Sequence, residues 1–354
     1  MAMAAAVAVA AAVLTAAWVA AAAAAGGLDD GVEVERGMAF EEGFLPLFGE
    51  GNMEVSPDGR SVRLTLDRRS GAGFISSDYY HHGFFSAAVR LPADHTAGVV
   101  VAFYLSNGDV FEKEHDELDL EFLGNRRRHE WRLQTNVYGN GSTGRGREER
   151  YLMPFDPTAA AHRFSILWSP AAVVFSVDGV PIREVPRAPA MAGDFPSKPM
   201  AVYATIWDGS TWATDNGRYK VNYKRGPFTA EFSGLVLRGC PAGAVAGGDM
   251  MRLRLGSGAA RERCAAAEAA EEEAAMTARR RMAMRRWRGR QMVYTVCYDT
   301  NRYPRALPEC DVNAGERQKF WEWGESKVVR PRVRGARSRR RTPPPALVSL
   351  QQAD

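Results

Sequence analysis

A run of carboxylates that alternate with apolar side chains constrains this chain more than any other feature. It spans residues 115–124 and reads His-Asp-Glu-Leu-Asp-Leu-Glu-Phe-Leu-Gly. Successive side chains of a β-strand point to opposite faces, so a strand here places Glu117, Asp119 and Glu121 together on one face. Like charges on neighbouring positions repel each other, and folding alone does not require three acids on one surface.

Two interpretations of this acidic face are open. Acidic alternation is common on the wet side of an edge strand, but such faces usually mix Lys, Thr and Ser with the acids. This run has no basic residue between Glu117 and Glu121. The other interpretation is catalytic, because a glycosidic bond is broken by two carboxyl groups with opposite tasks. The missing compensating charge favours the catalytic interpretation.

The spacing of the acids sets a condition on the sheet. Four residues of a strand span roughly 13 Å, whereas the carboxyl groups of a retaining glycosidase lie about 5–5.5 Å apart. The strand must therefore be curved. With Asp119 between the glutamates, one acid should keep its proton to a higher pH. We assign Glu117 as nucleophile, Glu121 as general acid and base, and Asp119 as helper; symmetry alone would allow the glutamates to exchange roles.

Two further segments have the polarity expected of a sugar-binding surface. On a strand through residues 130–137, the side chains of Arg132, Gln134 and Asn136 share one face. They are suited to hydrogen-bond sugar hydroxyls, or they form an ordinary outer face. Trp207 and Trp212 flank a turn, where indoles either stack on sugar rings or join the core.

Residues 33–238 predict an all-β fold of two packed antiparallel sheets. The predicted strands include residues 61–66, which alternate, and residues 99–105, which are continuously apolar. Asp178-Gly179 predicts a hairpin turn between two apolar strands. Further strands are predicted at residues 200–207 and 235–238.

The composition changes after residue 239. Residues 257–290 are rich in Ala, Glu and Arg and predict a helix that packs on the β body through Met276, Met282, Met284 and Trp287. All four cysteines lie in this part of the chain, and an even count in a secreted chain indicates two disulfides. Three pairings are open; nearest-neighbour pairing gives Cys240–Cys264 and Cys297–Cys310. The spacing does not fit a zinc site, and no metal or cofactor is expected.

Both chain ends have a biased composition. Residues 1–25 are almost wholly small and apolar, which is typical of a cleaved secretory signal, although the segment is long enough to anchor the chain in a bilayer. Residues 330–341 hold seven arginines and no acid, in a chain of net charge +4. We expect residues 316–354 to be disordered. In a secreted protein their partner would be an acidic polysaccharide or a membrane surface rather than nucleic acid, or they have none.

The acidic run resembles the H-D-E-I/L-D-x-E-F-L-G motif of plant xyloglucan endotransglucosylase/hydrolases in glycoside hydrolase family 16. The similarity covers about residues 38–313, and the basic tail is similar to that of one subgroup of the family. The other matching segments are Gln134–Tyr138, Phe155–Pro157, Val180–Arg183, Trp207–Thr214 and Cys297–Cys310.

The resemblance implies a β-jelly-roll with an open groove, and it implies the same roles for Glu117, Asp119 and Glu121. It also implies a C-terminal extension, at residues 239–315, that contains the two disulfides. The partners would be xyloglucan donor and acceptor chains, with no cofactor. The residues implied to contact the glucan are Glu121, Gln134, Thr135, Asn136, Arg147, Glu148, Thr211, Trp212, Asn216 and Arg302.

The sequence departs from the family pattern at three places. Leu120 replaces a usual Phe on the core face, and Asn216 replaces a frequent Gly near the substrate. The glycosylation signal that many members carry directly after the motif is missing. The only such signal is Asn140-Gly141-Ser142.

The expected protein is a secreted monomer of the cell wall and apoplast, without nucleic-acid or membrane partners after signal cleavage. Its predicted parts are the signal at residues 1–25, the catalytic jelly roll at 33–238, the extension at 239–315 and the tail at 316–354. The expected reaction is retaining cleavage of the xyloglucan backbone, followed by transfer to another xyloglucan chain or by hydrolysis. The alternatives are a catalytically silent glucan-binding jelly roll and a membrane-anchored wall protein.

Overall fold

The computed structural model describes residues 37–126, 130–246, 249–252 and 258–323. The predicted signal and the arginine-rich part of the tail lie outside these residues. The described chain folds into two antiparallel sheets that pack face to face as a jelly-roll sandwich, which confirms the predicted all-β fold class.

The first sheet carries the acidic strand near its middle. In spatial order its eight strands are β1 (Phe44–Phe48), β4 (Ala72–Ser76), β13 (Ala201–Asp208), β6 (Val99–Ser106), β7 (Glu117–Leu123), β8 (Arg132–Tyr138), β9 (Glu149–Leu152) and β16 (Met292–Thr295).

The second sheet forms the other layer. In spatial order it contains β12 (Val180–Pro186), β11 (Ala172–Val177), β10 (His162–Trp168), β5 (Asp78–Arg90), β14 (Phe228–Ala246), β3 (Ser61–Leu66) and β2 (Met53–Val55), with β15 (Asp249–Arg252) paired to β14. The predicted hairpin joins β11 to β12. Its Asp178 and Gly179 both have positive φ angles, 47° and 76°, as a two-residue type I′ turn requires. β14 is much longer than the predicted strand at residues 235–238.

The core lies between the two sheets. From β7 it takes Leu118, Leu120 and Phe122, each fully buried. The ring of Phe122 meets Phe164 of the second sheet edge-on, with ring centroids 4.6 Å apart. Leu120 therefore fills a core position where the family usually has Phe. Because the apolar side chains of β7 are committed to the core, its acids are held on the outer face of the first sheet.

The predicted helical segment forms two helices instead of one. They are α1 (Gly258–Glu273) and α2 (Ala278–Gln291), and a third helix, α3 (Ala314–Trp323), follows later. The prediction of disorder from residue 316 onward is therefore wrong for residues 316–323, where Phe320 is buried. The hydroxyl of Thr277 caps α2 by accepting a hydrogen bond from the backbone N–H of Arg280 (3.2 Å), so the helix restarts there. The prediction that Met282 packs on the β body is wrong, since Met282 is 54% exposed, whereas Trp287 does pack against the core.

One disulfide and one ionic cluster join the C-terminal helices to the sandwich, and the second disulfide closes a loop within the extension. The disulfides are Cys240–Cys264, between β14 and α1, and Cys297–Cys310, as predicted. In the ionic cluster, the buried Glu149 of β9 accepts hydrogen bonds from both terminal nitrogens of Arg288 on α2 (2.5 and 3.0 Å). Arg288 also donates to Glu316 of α3 at 2.9 Å. Burial alone would raise the pKa of Glu149, but Arg288 and Arg183 lower it to about 2.

Candidate active site

The register of three neighbouring strands places the acids among polar partners. Directly paired residues of adjacent strands lie on the same face of a sheet. The three rows across β6, β7 and β8 are Ser106–Glu117–Tyr138, Tyr104–Asp119–Asn136 and Ala102–Glu121–Gln134. The predicted alternation of β7 is thus confirmed, and the side chains of Gln134 and Asn136 lie beside the acids.

Glu117 is surrounded by groups that favour its ionised form. Burial raises its pKa above the ordinary range, but hydrogen bonds from Ser106 and Asp119 and the nearby charge of His115 act in the opposite direction. The rings of His115 and Tyr138 meet edge-on beside Glu117, with their centroids 6.4 Å apart.

Asp119 holds its proton to a higher pH than an ordinary aspartate. Its side chain is buried, and burial together with the charges of Glu117 and Glu121 raises its pKa well above the usual value. Asn136 faces it from β8. The oxygen of that amide accepts a hydrogen bond from the backbone N–H of Arg147 (2.8 Å), which leaves the amide NH₂ group to donate to Asp119.

Glu121 also has a raised pKa, for partly different reasons. Burial contributes most, and the neighbouring charges of Glu117 and Glu148 add to it, while a hydrogen bond from Gln134 lowers it; the resulting pKa is about 7. That hydrogen bond runs from Nε2 of Gln134 to Oε2 of Glu121, at 2.7 Å. Glu148 is itself paired with Arg302, whose second terminal nitrogen donates to it at 3.2 Å.

Two predicted substrate contacts lie away from this face. The side chain of Thr135 points into the core, where its hydroxyl accepts a hydrogen bond from Arg183 at 2.9 Å. The guanidinium of Arg147 is 1% exposed and is enclosed by Glu309 (2.6 Å) and Asp194 (2.8 Å). The sequence placed these two side chains on the wrong face for different reasons. Thr135 alternates with Gln134 and Asn136 along β8 and therefore points inward, whereas Arg147 pairs with acids that are distant in sequence.

The tryptophan pair is half-exposed and lies on the side of the acids. Trp207 is the last but one residue of β13 and lies on the outer face, and its ring centroid is 5.9 Å from that of Trp212. The following turn contains the exposed Thr211 and the half-buried Asn216, which has a φ angle of 55°. Left-handed backbone of this kind is adopted by Gly and, among other residues, most readily by Asn. The replacement of the family's Gly therefore keeps the loop conformation accessible.

Several neighbours of the acids could not be singled out in the sequence. Tyr104 and Tyr203 stack on the outer face beside Asp119, with ring centroids 4.9 Å apart. Asp116, adjacent to the acidic strand, is buried and accepts hydrogen bonds from the backbone N–H groups of Asn140, Ser197 and Lys198 at 2.6–2.7 Å. It fixes the loops at the end of the site. In the sequence, the only sign of Tyr104 and Ser106 is that they are polar residues in the otherwise apolar strand β6.

Asn140, the predicted glycosylation site, lies on the loop after β8. It is exposed, has a φ angle of 51°, and its side-chain oxygen accepts a hydrogen bond from Lys198 at 2.7 Å. Among the described residues, no group of His, Cys, Asp and Glu side chains is arranged to hold a metal ion. None of the helices in the described part combines the length and apolar character needed to cross a bilayer.

Comparison with known proteins identifies relatives over most of the chain. The family profile "Glycosyl hydrolases family 16" matches residues 40–225, and "Xyloglucan endo-transglycosylase (XET) C-terminus" matches residues 264–310. The chain is 56% identical to the Arabidopsis thaliana probable xyloglucan endotransglucosylase/hydrolase protein 27, over 80% of this chain and 81% of that protein. It is 52% identical to protein 30 of the same plant, over 86% of this chain and 87% of that protein.

Among solved structures, a Bacillus licheniformis beta-glucanase aligns with a TM-score of 0.44 and 22% identity, covering 54% of this chain and 89% of that one. The sequence relatives are similar enough, over enough of their length, to establish kinship. The chain therefore belongs to glycosyl hydrolases family 16 and, within it, to the xyloglucan endotransglucosylase/hydrolases.

Proposed function

We propose that this protein cleaves the β-1,4-glucan backbone of xyloglucan and transfers the new end to another xyloglucan chain, or to water, in the plant cell wall. Family membership supports the substrate class. The observation that carries the chemistry is the row of Glu117, Asp119 and Glu121 on one strand face, with different partners at its two ends. Burial raises the pKa of both glutamates. Glu117 accepts hydrogen bonds from Ser106 and Asp119, and Glu121, which pairs with Gln134, keeps a proton up to a pH of about 7. A retaining glycosidase needs one of its two acids ionised and the other protonated.

In the first step, Glu117 attacks the anomeric carbon of a backbone glucose. The bond from that carbon to the glycosidic oxygen breaks, and the departing oxygen takes the proton of Glu121. Asp119 donates a hydrogen bond to Glu117 and holds it in position. The product is a glycosyl ester on Glu117, with Glu121 ionised.

In the second step, the ionised Glu121 takes a proton from an incoming hydroxyl group. That oxygen bonds to the anomeric carbon, and Glu117 leaves as a carboxylate. The acceptor is the 4-hydroxyl of another xyloglucan chain in transfer, and water in hydrolysis. Transfer prevails where the acceptor side of the cleft holds a sugar in line with the ester. The half-exposed Trp207, Trp212 and Tyr104 are suited to hold glucan rings along this face, and the buried Tyr203 stacks on Tyr104.

The remaining predictions complete the proposal. We propose that the polar side chains around the acids bind the glucan, namely Glu121, Gln134, Asn136, Glu148, Thr211, Trp212, Asn216 and Arg302. We further propose secretion directed by residues 1–25, a catalytic domain at 33–238, an extension at 239–315, glycosylation of Asn140, and contact of the basic tail with acidic wall polysaccharide. Sequencing the mature N-terminus would separate a cleaved signal from a retained anchor.

A label-transfer assay tests the proposed reaction. The protein is incubated with polymeric xyloglucan and a fluorescent xyloglucan oligosaccharide, and the label in the polymer is measured together with viscosity. Label that enters the polymer supports transfer, and a fall in viscosity without incorporation supports hydrolysis. No change in either quantity would support the silent glucan-binding alternative.

The rate should depend on pH with two limbs. Glu121 must be protonated to donate, so activity should fall as pH rises through about 7. Glu117 must be ionised to attack, and its raised pKa places the acid limb above the ordinary glutamate range. The check is kcat/KM for transfer between pH 4 and 9, roughly the range that spans both groups. A profile with a single limb would argue against separate acid and base roles.

A further inference from the structure

An uninterrupted line of hydrogen bonds ends at the proposed proton donor. Arg150 on β9, Gln134 on β8 and Glu121 on β7 are directly paired residues of adjacent strands. Nε of Arg150 donates to Oε1 of Gln134 at 2.6 Å, and Nε2 of Gln134 donates to Oε2 of Glu121 at 2.7 Å. Arg150 was not among the residues that the sequence predicted for the site.

Arg150 determines which end of the Gln134 amide faces the acid. A guanidinium group has only donors, so it requires the amide oxygen. The NH₂ group is then directed at Glu121. The reversed amide would place NH₂ against the guanidinium and the amide oxygen against the carboxylate, and both contacts would be unfavourable.

The direction of the amide matters for a group that must both release and recover a proton. A donor that faces a carboxyl group favours its ionised form, whereas burial favours the protonated form. With the donor in place, the proton of Glu121 can leave near neutral pH. The charged and titratable groups around Glu121 are Glu117 and Asp119 on its own strand, Glu148 and Arg150 from the β9 side, and Tyr104 on β6.

The C-terminal extension supports Arg150 from the far side. The guanidinium of Arg150 lies 5.5 Å from the ring centroid of Tyr294 on β16. Tyr294 is buried, and its hydroxyl donates to Asp299 at 3.0 Å. A cation over an aromatic face is attracted to it. Tyr294 on β16, the last strand of the sheet, therefore helps to keep the guanidinium of Arg150 in position.

We infer that Arg150 is a positioning residue: it orients the Gln134 amide toward the proton donor Glu121, and the extension keeps Arg150 in place through Tyr294. This inference depends on the proposed function, because it gives Glu121 the acid and base role. It also gives the extension a part in catalysis, although the extension contributes none of the three acids.

The test is the alkaline limb of the pH profile for label transfer. Arg150→Met removes the group that orients the amide, and Gln134→Met removes the donor itself. Each should move the alkaline limb to higher pH by about one unit, because the ionised form of Glu121 loses support. The double variant should shift little further than Gln134→Met, since Arg150 acts through Gln134. Arg63→Met, on the exposed side of the other sheet, should leave the limb in place.

The outcomes separate this inference from the proposed function. If the single variants are active and their alkaline limb is unshifted, the inference is overturned and the proposed reaction still stands. If the two shifts add in the double variant, Arg150 acts on Glu121 directly through its charge and not through Gln134, which also overturns the inference. If Arg150→Met fails to fold, Gln134→Met and Tyr294→Leu are measured instead, with the same expected direction and the same contradicting result. Wild-type protein that transfers no label contradicts the proposed function itself.

Discussion

Glu117→Gln should lower the rate of xyloglucan transfer by at least about 10⁴-fold while the fold is retained. An amide cannot form the glycosyl ester, and no other carboxylate on the face has the same set of favourable partners. The stability of the variant should be unchanged or higher, because burial disfavours the ionised carboxylate of Glu117 and a neutral amide avoids that cost. The measurements are label transfer and the midpoint of thermal unfolding.

The matched control is Glu54→Gln, which removes an exposed strand carboxylate whose side chain is 72% accessible. It should leave both activity and stability unchanged. Near-normal transfer by Glu117→Gln would end the assignment of the nucleophile. A large fall in the thermal unfolding midpoint of Glu117→Gln would mean that the variant loses activity because it is unfolded, and not because the nucleophile is missing.

Arg288→Met should lower the free energy of unfolding by about 3–5 kcal/mol, the usual result when one partner of a buried ion pair is removed. The variant leaves Glu149 with a carboxylate that is 3% exposed, and Arg183 remains only at 3.7 Å. It also releases Glu316, so α2 and α3 lose their ionic attachment to β9. Denaturant unfolding with the disulfides intact measures the loss.

Arg290→Met is the control, because it removes an exposed arginine from the same helix. It should change the unfolding free energy by less than about 0.5 kcal/mol. Adding Glu149→Gln to Arg288→Met should restore part of the loss, since the buried charge is then gone. If Arg288→Met is as stable as Arg290→Met, the ionic cluster does not hold the extension. The stabilisation that the ionic cluster gives should also weaken at low pH. It should be lost as pH falls below the ordinary glutamate range toward the pKa of Glu149, about 2, because Glu149 is then protonated.

The acidic strand could be predicted because its information is local. A period of two fixes which side chains share a face, and the apolar partners Leu118, Leu120 and Phe122 fix which face is buried. The neighbours of the acids depend instead on strand register. The sequence does not fix that Ser106 pairs with Glu117, or Arg150 with Gln134, because the loops between these consecutive strands leave their register open.

In the C-terminal extension, even less of the structure could be predicted from local sequence. Composition predicted helix, but the break before Thr277 depends on a cap, and the packing of α2 depends on ionic partners in other elements. Arg288 is one of many arginines in this segment, and nothing in the sequence marks it as the centre of a buried cluster. Arg147 was expected to touch sugar, and it pairs with acids at positions 194 and 309. Ion pairs between distant residues leave no periodic pattern in a sequence.

The most direct test of the account is to find the covalent intermediate. The protein is incubated with xyloglucan without added acceptor and quenched in acid, and the peptide that contains residues 116–124 is analysed by mass spectrometry. We expect a glycosyl ester on Glu117, and no such adduct in Glu117→Gln. An unmodified peptide, together with products of inverted anomeric configuration, would contradict double displacement and with it the role assigned to the acidic strand.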